Sequence, residues 1–257
     1  MKIATWNVNS IRARLERLVA WLKTHQPDVV CLQELKVADA EFPLLAVQEA
    51  GYHAAVYGQR TYNGVAILSR AEPAEVERGL CDGVQDDQAR LICARFADVR
   101  VLSAYVPNGG EVGSDKYAYK LEWLRRLRGY LERRCEPRQP LALCGDFNVA
   151  PEPRDVADPE AWADTVLFHP EVRAALEEVR SWGLRDAFRI HHEEGGLYSW
   201  WDYRMLAFPK NRGLRIDHIF VSEPLAERCV DSSIHRQERK GKQPSDHAPV
   251  LAEFKAA

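Results

Sequence analysis

The sequence lacks any hydrophobic run close to the roughly 20 residues that a membrane-spanning helix needs. It also lacks the pattern of a signal peptide, because Met1 leads directly into a strand-like segment. Neither charge sign dominates, since 35 Lys and Arg residues stand against 38 Asp and Glu residues, for a formal net charge of −3. We therefore expect no membrane contact and no uniformly basic surface. A local cluster of acids could still mask a basic, nucleic-acid-binding face.

Cysteine pairs at short spacing are also missing, which argues against a local zinc site and against a disulfide framework. The six cysteines are scattered, and several lie in apolar, strand-like runs: Cys31, Cys81, Cys93, Cys135, Cys144 and Cys229. We expect them to be reduced core residues of a cytosolic protein. With 46% apolar and 28% charged residues, the chain can build a substantial core without disulfides or a structural metal.

Apolar periodicity predicts an α/β protein of the α+β kind, with many strands and a few helices spread through both halves. The predicted helices are 11–24, 42–50, 117–136 and 170–182. The predicted strands are 2–8, 29–32, 54–57, 64–69, 90–96, 99–106, 140–144, 184–188, 198–201, 215–221, 229–235 and 247–254. No linker divides the sequence, so we expect one domain over residues 1–257. The expected architecture is two mostly antiparallel sheets packed face to face, with helices outside.

Polar side chains stand at or near the ends of several predicted strands, where they could point into one shared cleft. They are Asn7, Glu34, Tyr105, Asp146, Asn148, Asp217, Asp246 and His247. Asp146 follows an apolar run closely, and burying a carboxylate there is costly unless the carboxylate has a function. Oxygen ligands without cysteine favour a hard cation such as Mg²⁺ or Mn²⁺, and Mg²⁺ sites are typically completed by substrate phosphate. The arrangement therefore indicates phosphoryl chemistry.

Each of these residues has an ordinary structural explanation when it is considered alone. Glu34 could be a solvated turn residue, and Asp146 with Asn148 could form an Asx-turn. His247 could be a surface histidine, and Trp200 could belong to the core. The joint arrangement of polar residues at strand ends favours the functional interpretation.

Six short segments occur in order along the chain: N-V-N-S-I-R at 7–12, L-Q-E-L-K at 32–36, G-D-F-N-V-A-P at 145–151, S-W-W-D-Y-R at 199–204, N-R-G-L-R-I-D at 211–217 and S-D-H-A-P at 245–249. Together they resemble the bacterial exonuclease III branch of the AP endonuclease family, within the DNase I-like metal-dependent phosphoesterases. The segments at 199–204 and 211–217 are the most specific to this branch. The G-D-F-N and S-D-H motifs recur across the whole superfamily.

This resemblance implies a four-layer αββα sandwich of the DNase I type, which agrees with the pattern of strands and helices. It implies a metal site formed by Asn7, Glu34, Asp146, Asn148, Asp246 and His247. It implies catalytic roles for Tyr105, Asp146, Asn148, Asp217 and His247. Among these, Tyr105 would assist charge development near the phosphate or the leaving group.

The resemblance also implies separate roles within the site. Glu34 would be the principal Mg²⁺ ligand, with Mn²⁺ as a possible substitute. Asp146 would deprotonate the attacking water or ligate the metal, and the sequence leaves both roles open. Asn148 would contact the scissile phosphate, and His247, held by Asp217, would donate to a phosphoryl oxygen.

Contacts with duplex DNA are implied for side chains beside the cleft: Arg90, Asn108, Lys116, Lys120, Trp200, Arg204 and Leu214. Arg215 belongs to the same group of cationic residues, which would bind phosphates without sequence preference. Trp200 and Leu214 resemble two walls of a pocket that accepts a flipped-out abasic sugar. Such a pocket would exclude a normal nucleotide sterically.

The expected protein is a Mg²⁺-dependent DNA-repair nuclease that cuts 5′ to abasic sites and trims the 3′ ends of duplex DNA. We expect a monomer in the bacterial cytoplasm, associated with the nucleoid. A rival is another phosphoesterase of this fold, acting on RNA or inositol phosphates, which would need Glu34, Asp146 and His247 but not the Trp200 region. A DNA-binding protein without catalysis is a further alternative. The sequence does not rank the exonuclease, abasic-endonuclease, 3′-phosphatase and RNase H-like activities.

Overall fold

The computed structural model describes residues 1–256, which form twelve strands and seven α-helices. The strands are β1 (Lys2–Asn7), β2 (Val29–Gln33), β3 (His53–Tyr57), β4 (Val65–Ser69), β5 (Glu75–Arg78), β6 (Leu91–Phe96), β7 (Val99–Tyr105), β8 (Leu141–Asp146), β9 (Leu184–Asp186), β10 (Asp217–Ser222), β11 (Cys229–Ile234) and β12 (Val250–Phe254). The helices are α1 (Ile11–His25), α2 (Leu44–Glu49), α3 (Asp115–Arg134), α4 (Pro159–Trp162), α5 (Pro170–Arg180), α6 (Ala187–His191) and α7 (Glu223–Ala226).

Two six-stranded sheets contain these strands, and both sheets have the same strand arrangement. The order is β11-β12-β1-β2-β4-β3 in the first sheet and β5-β6-β7-β8-β10-β9 in the second. The central pairs β1–β2 and β7–β8 are parallel, whereas the outer strands pair antiparallel. A parallel pair needs a long crossover, and α1 and α3 supply it in the two sheets. The fold therefore repeats one arrangement, although no repeat is legible in the sequence.

The sheets pack face to face, with β1 against β8 and β2 against β7. Apolar side chains such as Ile67 and Ile219 fill the space between the two sheets. On the outside, α1 covers the first sheet with Leu18 and Trp21, and α3 covers the second with Leu127. These layers confirm the predicted four-layer αββα sandwich with two mixed, mostly antiparallel sheets.

The two crossover helices begin at serine caps, which satisfy backbone N–H groups of the first turn. Ser10 Oγ accepts the N–H of Ala13 at 3.5 Å, and Ser114 Oγ accepts the N–H of Tyr117 at 3.2 Å. Both helices end near the expected positions, and α1 stops where Gln26 adopts a left-handed conformation. Across residues 1–256, no helix is both long and apolar enough to span a membrane.

The approach of β7 to β8 requires a glycine at the centre of the sandwich. A Cβ atom added to Gly145 would lie 1.9 Å from the carbonyl oxygen of Ala104. No side chain can occupy that space without moving the strand backbone. The glycine of the G-D-F-N segment is therefore a requirement of strand packing, one residue before Asp146.

One predicted strand is wrong. Residues 198–201 form no strand, and only single bridges connect Trp200 to Leu214 and to His247. The segment is a buried connection that contributes side chains to the site. Its aromatic residues satisfy a strand pattern because they are buried on more than one side.

Two smaller differences concern edges of the second sheet. Phe188 was expected at the end of a strand, but it lies in α6, whose first turn is capped when Asp186 accepts the N–H of Phe188 at 3.1 Å. The edge strand β5, Glu75–Arg78, was not predicted, because three of its four residues are charged and none is buried. Charged residues on an edge strand discourage pairing with other chains, so they carry little apolar pattern.

Candidate active site

The candidate site lies where the central strands of both sheets end. Asn7 ends β1 and Glu34 directly follows β2, whereas Tyr105 and Asp146 end the equivalent strands β7 and β8. Face-to-face packing of the sheets brings these four positions to one edge. One ligand atom each from Glu34, Asp146 and His247 lie within 4.8 Å of one another. This group, which we call the acidic centre, can hold a metal ion.

Asn7 connects the carboxylates that the two sheets contribute. Its Nδ2 donates to Glu34 Oε1 at 2.8 Å and to Asp146 Oδ2 at 2.9 Å. Its Oδ1 accepts the backbone N–H of Asn9 at 2.9 Å. The side chain is fully buried, so its amide orientation is fixed by these bonds. In this arrangement Asn7 positions both carboxylates and has its oxygen engaged elsewhere.

Glu34 is held in a left-handed backbone conformation, with φ of +53°. Its Oε2 lies 3.0 Å from the ammonium of Lys36, which also donates to Asn9 Oδ1 at 2.6 Å. A left-handed non-glycine residue is uncommon, and such residues concentrate at functional sites. Our sequence prediction did not assign a role to Lys36, although it is the last residue of the L-Q-E-L-K segment.

His247 is oriented by two buried residues behind it. Its Nδ1 lies 2.9 Å and 3.0 Å from the two carboxylate oxygens of Asp217. Ser199 Oγ donates to Asp217 at 2.6 Å and accepts the backbone N–H groups of Ile216 and Asp217. The other ring nitrogen, Nε2, lies 3.7 Å from Asp146 Oδ2. Ser199 was not predicted as a site residue, and the S-W-W-D-Y-R segment was the signal for it.

Charges around His247 and Asp146 shift both pKa values. Burial disfavours the imidazolium, but Asp217, Asp146 and Asp246 outweigh burial and raise the pKa of His247 to about 10. A protonated imidazole has two N–H donors and no lone pair for a metal, so the geometry favours the donor role over the ligand role. Burial raises the pKa of Asp146 to about 7, although His247 acts against this rise. Asp146 can therefore take up a proton near neutral pH.

Asn148 is also left-handed, with φ of +49°, and every polar group of its side chain is engaged. Its backbone N–H donates to Asp146 Oδ1 at 2.9 Å, which is the Asx-turn considered from the sequence. Its Nδ2 donates to the carbonyl of Val106 at 2.9 Å, and its Oδ1 accepts Asn108 Nδ2 at 3.2 Å. Asn148 therefore belongs to an Asx-turn with Asp146 and also lies at the predicted site, so the structural and the functional explanations are compatible.

The hydroxyl group of Tyr105 faces the acidic centre, and the ring of Tyr105 faces Arg90. Burial, followed by the nearby Glu34 and Asp146 carboxylates, raises the pKa of Tyr105 well above its usual value. The guanidinium of Arg90 lies 4.8 Å from the ring centroid and donates to the Tyr105 carbonyl at 3.1 Å. The Tyr105 hydroxyl therefore stays protonated and can donate a hydrogen bond.

Asp246 lies beside the acidic centre and links it to Trp200. The rings of Trp200 and Trp162 are in contact, and we call this pair the aromatic wall. Asn9 Nδ2 donates to Asp246 Oδ1 at 3.0 Å, and Trp200 Nε1 donates to Oδ2 at 3.0 Å. Burial would raise the pKa of Asp246, but the positive charge of His247 outweighs it and lowers this pKa. Its carboxylate is thus ionised, with one donor on each oxygen.

A polar cavity of about 500 Å³ adjoins Tyr105 on one side of the acidic centre. Arg90, Asn108 and Lys116 line it, and Asn108 and Lys116 are exposed to solvent. Three of the predicted DNA contacts therefore share one surface next to a predicted catalytic residue.

A second groove, of about 680 Å³, lies beyond Trp200. Trp162 and Arg204 also line it, and the Trp162 ring meets the Trp200 ring edge to face with centroids 5.9 Å apart. Arg204 is exposed and pairs with Asp202 at 2.8 Å. Trp162 was not predicted, because α4 is only four residues long and carries no periodic pattern.

The predicted DNA contacts at Lys120 and Leu214 are wrong, and Arg215 is not part of a basic surface. Lys120 is fully buried, and its ammonium donates only to backbone carbonyls. Leu214 is fully buried, so it supports Trp200 from the core and offers no exposed wall. Arg215 is buried in ion pairs with Asp155 and Asp186, both at 2.7 Å. All three residues are buried by parts of the chain that are distant from them in sequence.

The donor chemistry of the acidic centre fits a hard divalent cation. Carboxylate oxygens of Glu34 and Asp146 face one another across Asn7, and no cysteine takes part. The raised pKa of Asp146 reflects a buried carboxylate whose charge is incompletely balanced, which a cation would relieve. Glu34 and Asp146 are therefore the residues that would hold such an ion.

Several known proteins are similar to this chain in both sequence and fold. Residues 4–247 match the Endonuclease/Exonuclease/phosphatase family. The chain is 39% identical to exodeoxyribonuclease III of Haemophilus influenzae, over 99% of this chain and 100% of that protein.

Among solved structures, an AP endonuclease from Archaeoglobus fulgidus has a TM-score of 0.97 and 42% identity, with 100% of each chain covered. The 3′ phosphatase NExo from Neisseria, bound to a product DNA hairpin, has a TM-score of 0.96 and 41% identity, also with 100% of each chain covered. The matches extend over both sheets and over every residue of the acidic centre. The chain belongs to the Endonuclease/Exonuclease/phosphatase family.

Proposed function

We propose that this protein is a Mg²⁺-dependent DNA-repair nuclease that hydrolyses phosphodiester bonds of duplex DNA 5′ to abasic sites and at 3′ ends. The observation that carries the proposal is the acidic centre, in which Glu34 and Asp146 face a His247 that Asp217 holds from behind. Relatives described as an exodeoxyribonuclease III, an AP endonuclease and a DNA-bound 3′ phosphatase support the choice of substrate.

In the proposed reaction, a water molecule attacks phosphorus in line with the leaving oxygen. Asp146, whose carboxylate lies beside Glu34 and His247, orients that water and takes its proton. The imidazolium of His247 donates through Nε2 to a phosphoryl oxygen, because Nδ1 is committed to Asp217. Tyr105, whose hydroxyl stays protonated, donates near the phosphate or the leaving group.

Glu34 and Asp146 would hold the cation, with Mn²⁺ as a possible substitute for Mg²⁺. A bound cation supplies charge neutralisation to the phosphate. Asn7 keeps the two carboxylates at the correct separation by donating to both. In the absence of the cation these carboxylates repel each other, so the proposed ion also relieves the cost of their burial.

Duplex DNA would lie across the polar cavity and the groove that flank the acidic centre. Lys116, Asn108 and Arg90 line the first surface, and Arg204 with Trp200 lines the second. Exposed cations give salt-sensitive, sequence-independent binding to phosphates. The expected monomer, its place in the bacterial cytoplasm and its association with the nucleoid stay predictions.

A single assay tests this function. A duplex with one abasic site is labelled at the 5′ or the 3′ end and incubated with and without Mg²⁺. Mg²⁺-dependent cleavage immediately 5′ to the abasic site, together with stepwise loss of nucleotides from 3′ ends, is the expected result. Cleavage of a phosphoinositide head group or of RNA, with the abasic duplex intact, would instead support the rival phosphoesterase.

Two variants connect the activity to the acidic centre. Glu34→Ala and Asp146→Asn should each lower cleavage by orders of magnitude while leaving the unfolding temperature close to that of the unchanged protein. Duplex binding without any Mg²⁺-dependent cleavage in the unchanged protein would support a non-catalytic DNA-binding role. Near-normal turnover in either variant would contradict the proposed mechanism.

A further inference from the structure

Lys120 is a buried amine with no carboxylate of residues 1–256 within ion-pair distance. It lies on α3 and is fully buried, and burial lowers the pKa of its ammonium to about 7. An ammonium buried without hydrogen-bond partners is very costly, so its acceptors must compensate for the lost water. The hydrogen-bond acceptors of Lys120 therefore indicate its structural role.

All three N–H donors of the ammonium have backbone carbonyl acceptors in separate loops. The acceptors are the carbonyls of Asn108 at 3.1 Å, Asn148 at 2.6 Å and Val166 at 2.6 Å. The first loop follows β7, the second follows β8, and the third precedes α5. One side chain thus joins the loops that follow the paired strands β7 and β8 to a third loop, which lies outside both sheets.

Two of these loops carry residues of the site. Asn148 is left-handed, and Asn108 donates to its side chain at 3.2 Å. The third loop contains Val166 and follows α4, whose Trp162 packs against Trp200. The ammonium therefore connects the segment at the acidic centre with the segment at the aromatic wall.

We infer that Lys120 is a positioning residue, which fixes Asn148 relative to the acidic centre and the aromatic wall and does not contact DNA itself. The inference rests on the proposed function, since Asn148 acts on the scissile phosphate only if the protein is a nuclease. An apolar residue at this position would remove the shared donor from three backbone carbonyls, two of them in buried bonds, and the Asn148 segment would relax. A shift of about 1 Å at a reacting group can lower turnover by about a hundredfold.

The test compares Lys120→Met with Lys116→Met, an identical change on the same helix at an exposed position that lines the polar cavity. We expect Lys120→Met to lower kcat on the abasic duplex by about a hundredfold. Its duplex Kd, measured in EDTA, and the dependence of that Kd on salt should stay unchanged. Lys116→Met should weaken binding and reduce the salt slope by about one phosphate contact.

A second pair of variants keeps the inference testable if Lys120→Met does not fold. Gly109 and Gly113 both have left-handed φ, +97° and +83°. A Cβ on Gly109 would lie 2.9 Å from Lys120 Cδ, whereas a Cβ on Gly113 would meet nothing within 4 Å. Gly109→Ala should therefore displace Lys120 and lower kcat, and Gly113→Ala, with similar backbone strain, should not.

Two results would overturn the inference. One is a Lys120→Met protein whose salt slope falls as in Lys116→Met, because that would make Lys120 a phosphate contact. The other is a kcat that is unchanged in Lys120→Met, or equal in the two glycine variants. An unchanged protein that binds the duplex but never cleaves it would contradict the proposed function instead, so the two failures are distinguishable.

Discussion

Glu34 and Asn148 both adopt left-handed backbone conformations at the ends of buried strands, with φ of +53° and +49°. Such conformations cost roughly 1–3 kcal/mol each in residues other than glycine. Around them, side-chain bonds from Asn7, Lys36 and Asn108 hold the strained positions. The fold tolerates the conformational cost at these two residues, and their backbone conformations place the side chains of Glu34 and Asn148 at the same site.

Cation binding should stabilise the fold, because a bound ion relieves the repulsion between Glu34 and Asp146. At a free Mg²⁺ concentration a hundredfold above Kd, the free energy of unfolding should rise by about 2.7 kcal/mol. The unfolding temperature, followed by circular dichroism, should therefore increase by several degrees. Glu34→Gln should abolish this increase, whereas Glu136→Gln, an exposed glutamate on the surface, should retain it. An equal increase in both variants would show that the ion binds elsewhere.

Asp217→Asn should lower kcat by about a hundredfold or more, the usual contribution of a proton donor. Asparagine can still accept a bond from His247, but it removes the nearest charge that raises the pKa of the imidazole. Ser199→Ala is the matched comparison, since it removes one donor to Asp217 and keeps the charge. Steady-state cleavage of the abasic duplex measures both variants. A smaller loss in Asp217→Asn than in Ser199→Ala would contradict the role of the charge.

Single residues differed in how well the sequence predicted them. The acidic centre could be anticipated because carboxylates after apolar strands are unusual, and the family that the motifs indicated is confirmed by the known relatives. The burial of Lys120 and Arg215 could not be anticipated, since a lysine on an amphipathic helix and an arginine at the start of a strand are normally solvated. Their burial depends on carbonyls and carboxylates from distant parts of the chain.

The pairing of β7 with β8 depends on Gly145, the glycine immediately before Asp146. Gly145→Ala should destabilise the protein by more than about 3 kcal/mol, because its Cβ would lie 1.9 Å from a backbone oxygen. Gly51→Ala is the comparison, since it adds left-handed strain but meets nothing within 4 Å. Urea unfolding of the two variants measures the difference. Equal losses of stability would contradict the packing argument.

Between β9, β10 and the loop after β8, Arg215 is buried with Asp155 and Asp186. Burial alone would raise the pKa of Asp186, but Arg215 outweighs it and lowers this pKa to about 2. Because the folded pKa is below the unfolded value of about 3.9, the pair stabilises the fold above pH 4. This contribution, of the order of 2 kcal/mol, is lost as the pH falls through about 2.

Asp186→Asn should therefore flatten the loss of stability between pH 4 and pH 2. At neutral pH it should destabilise the protein by about 3 kcal/mol, because Arg215 keeps a buried charge with one partner fewer. Thermal unfolding midpoints across this pH range check both expectations. An unchanged acid slope would mean that other carboxylates control it.

At the scale of elements, most strands and both crossover helices followed from apolar periodicity. The matching order of the two sheets did not, because the two halves share a topology and have no visible sequence repeat. Edge strand β5 and the short helix α6 were also missed. Short elements at a sheet edge contain too few apolar residues to set a period.

We propose that residues 1–257 form one cooperative domain, because the core between the sheets takes side chains from both. Far-ultraviolet circular dichroism and tryptophan fluorescence should then give coincident thermal transitions. The fluorescence reports on both outer layers, since Trp21 lies against the first sheet and Trp123 against the second. Two separated transitions would contradict a single domain.

The acidic centre combines groups from both sheets, and this has a consequence for a chain that is still being synthesised. Glu34 follows β2 of the first sheet and Asp146 ends β8 of the second, whereas His247 precedes β12. A partly made chain can therefore contain every residue of the second sheet and still lack His247 and β12. Under the proposed mechanism, cleavage requires β12 to join β1, because this pairing brings the imidazolium of His247 to the two carboxylates. The topology itself thus delays the chemistry until the fold is assembled.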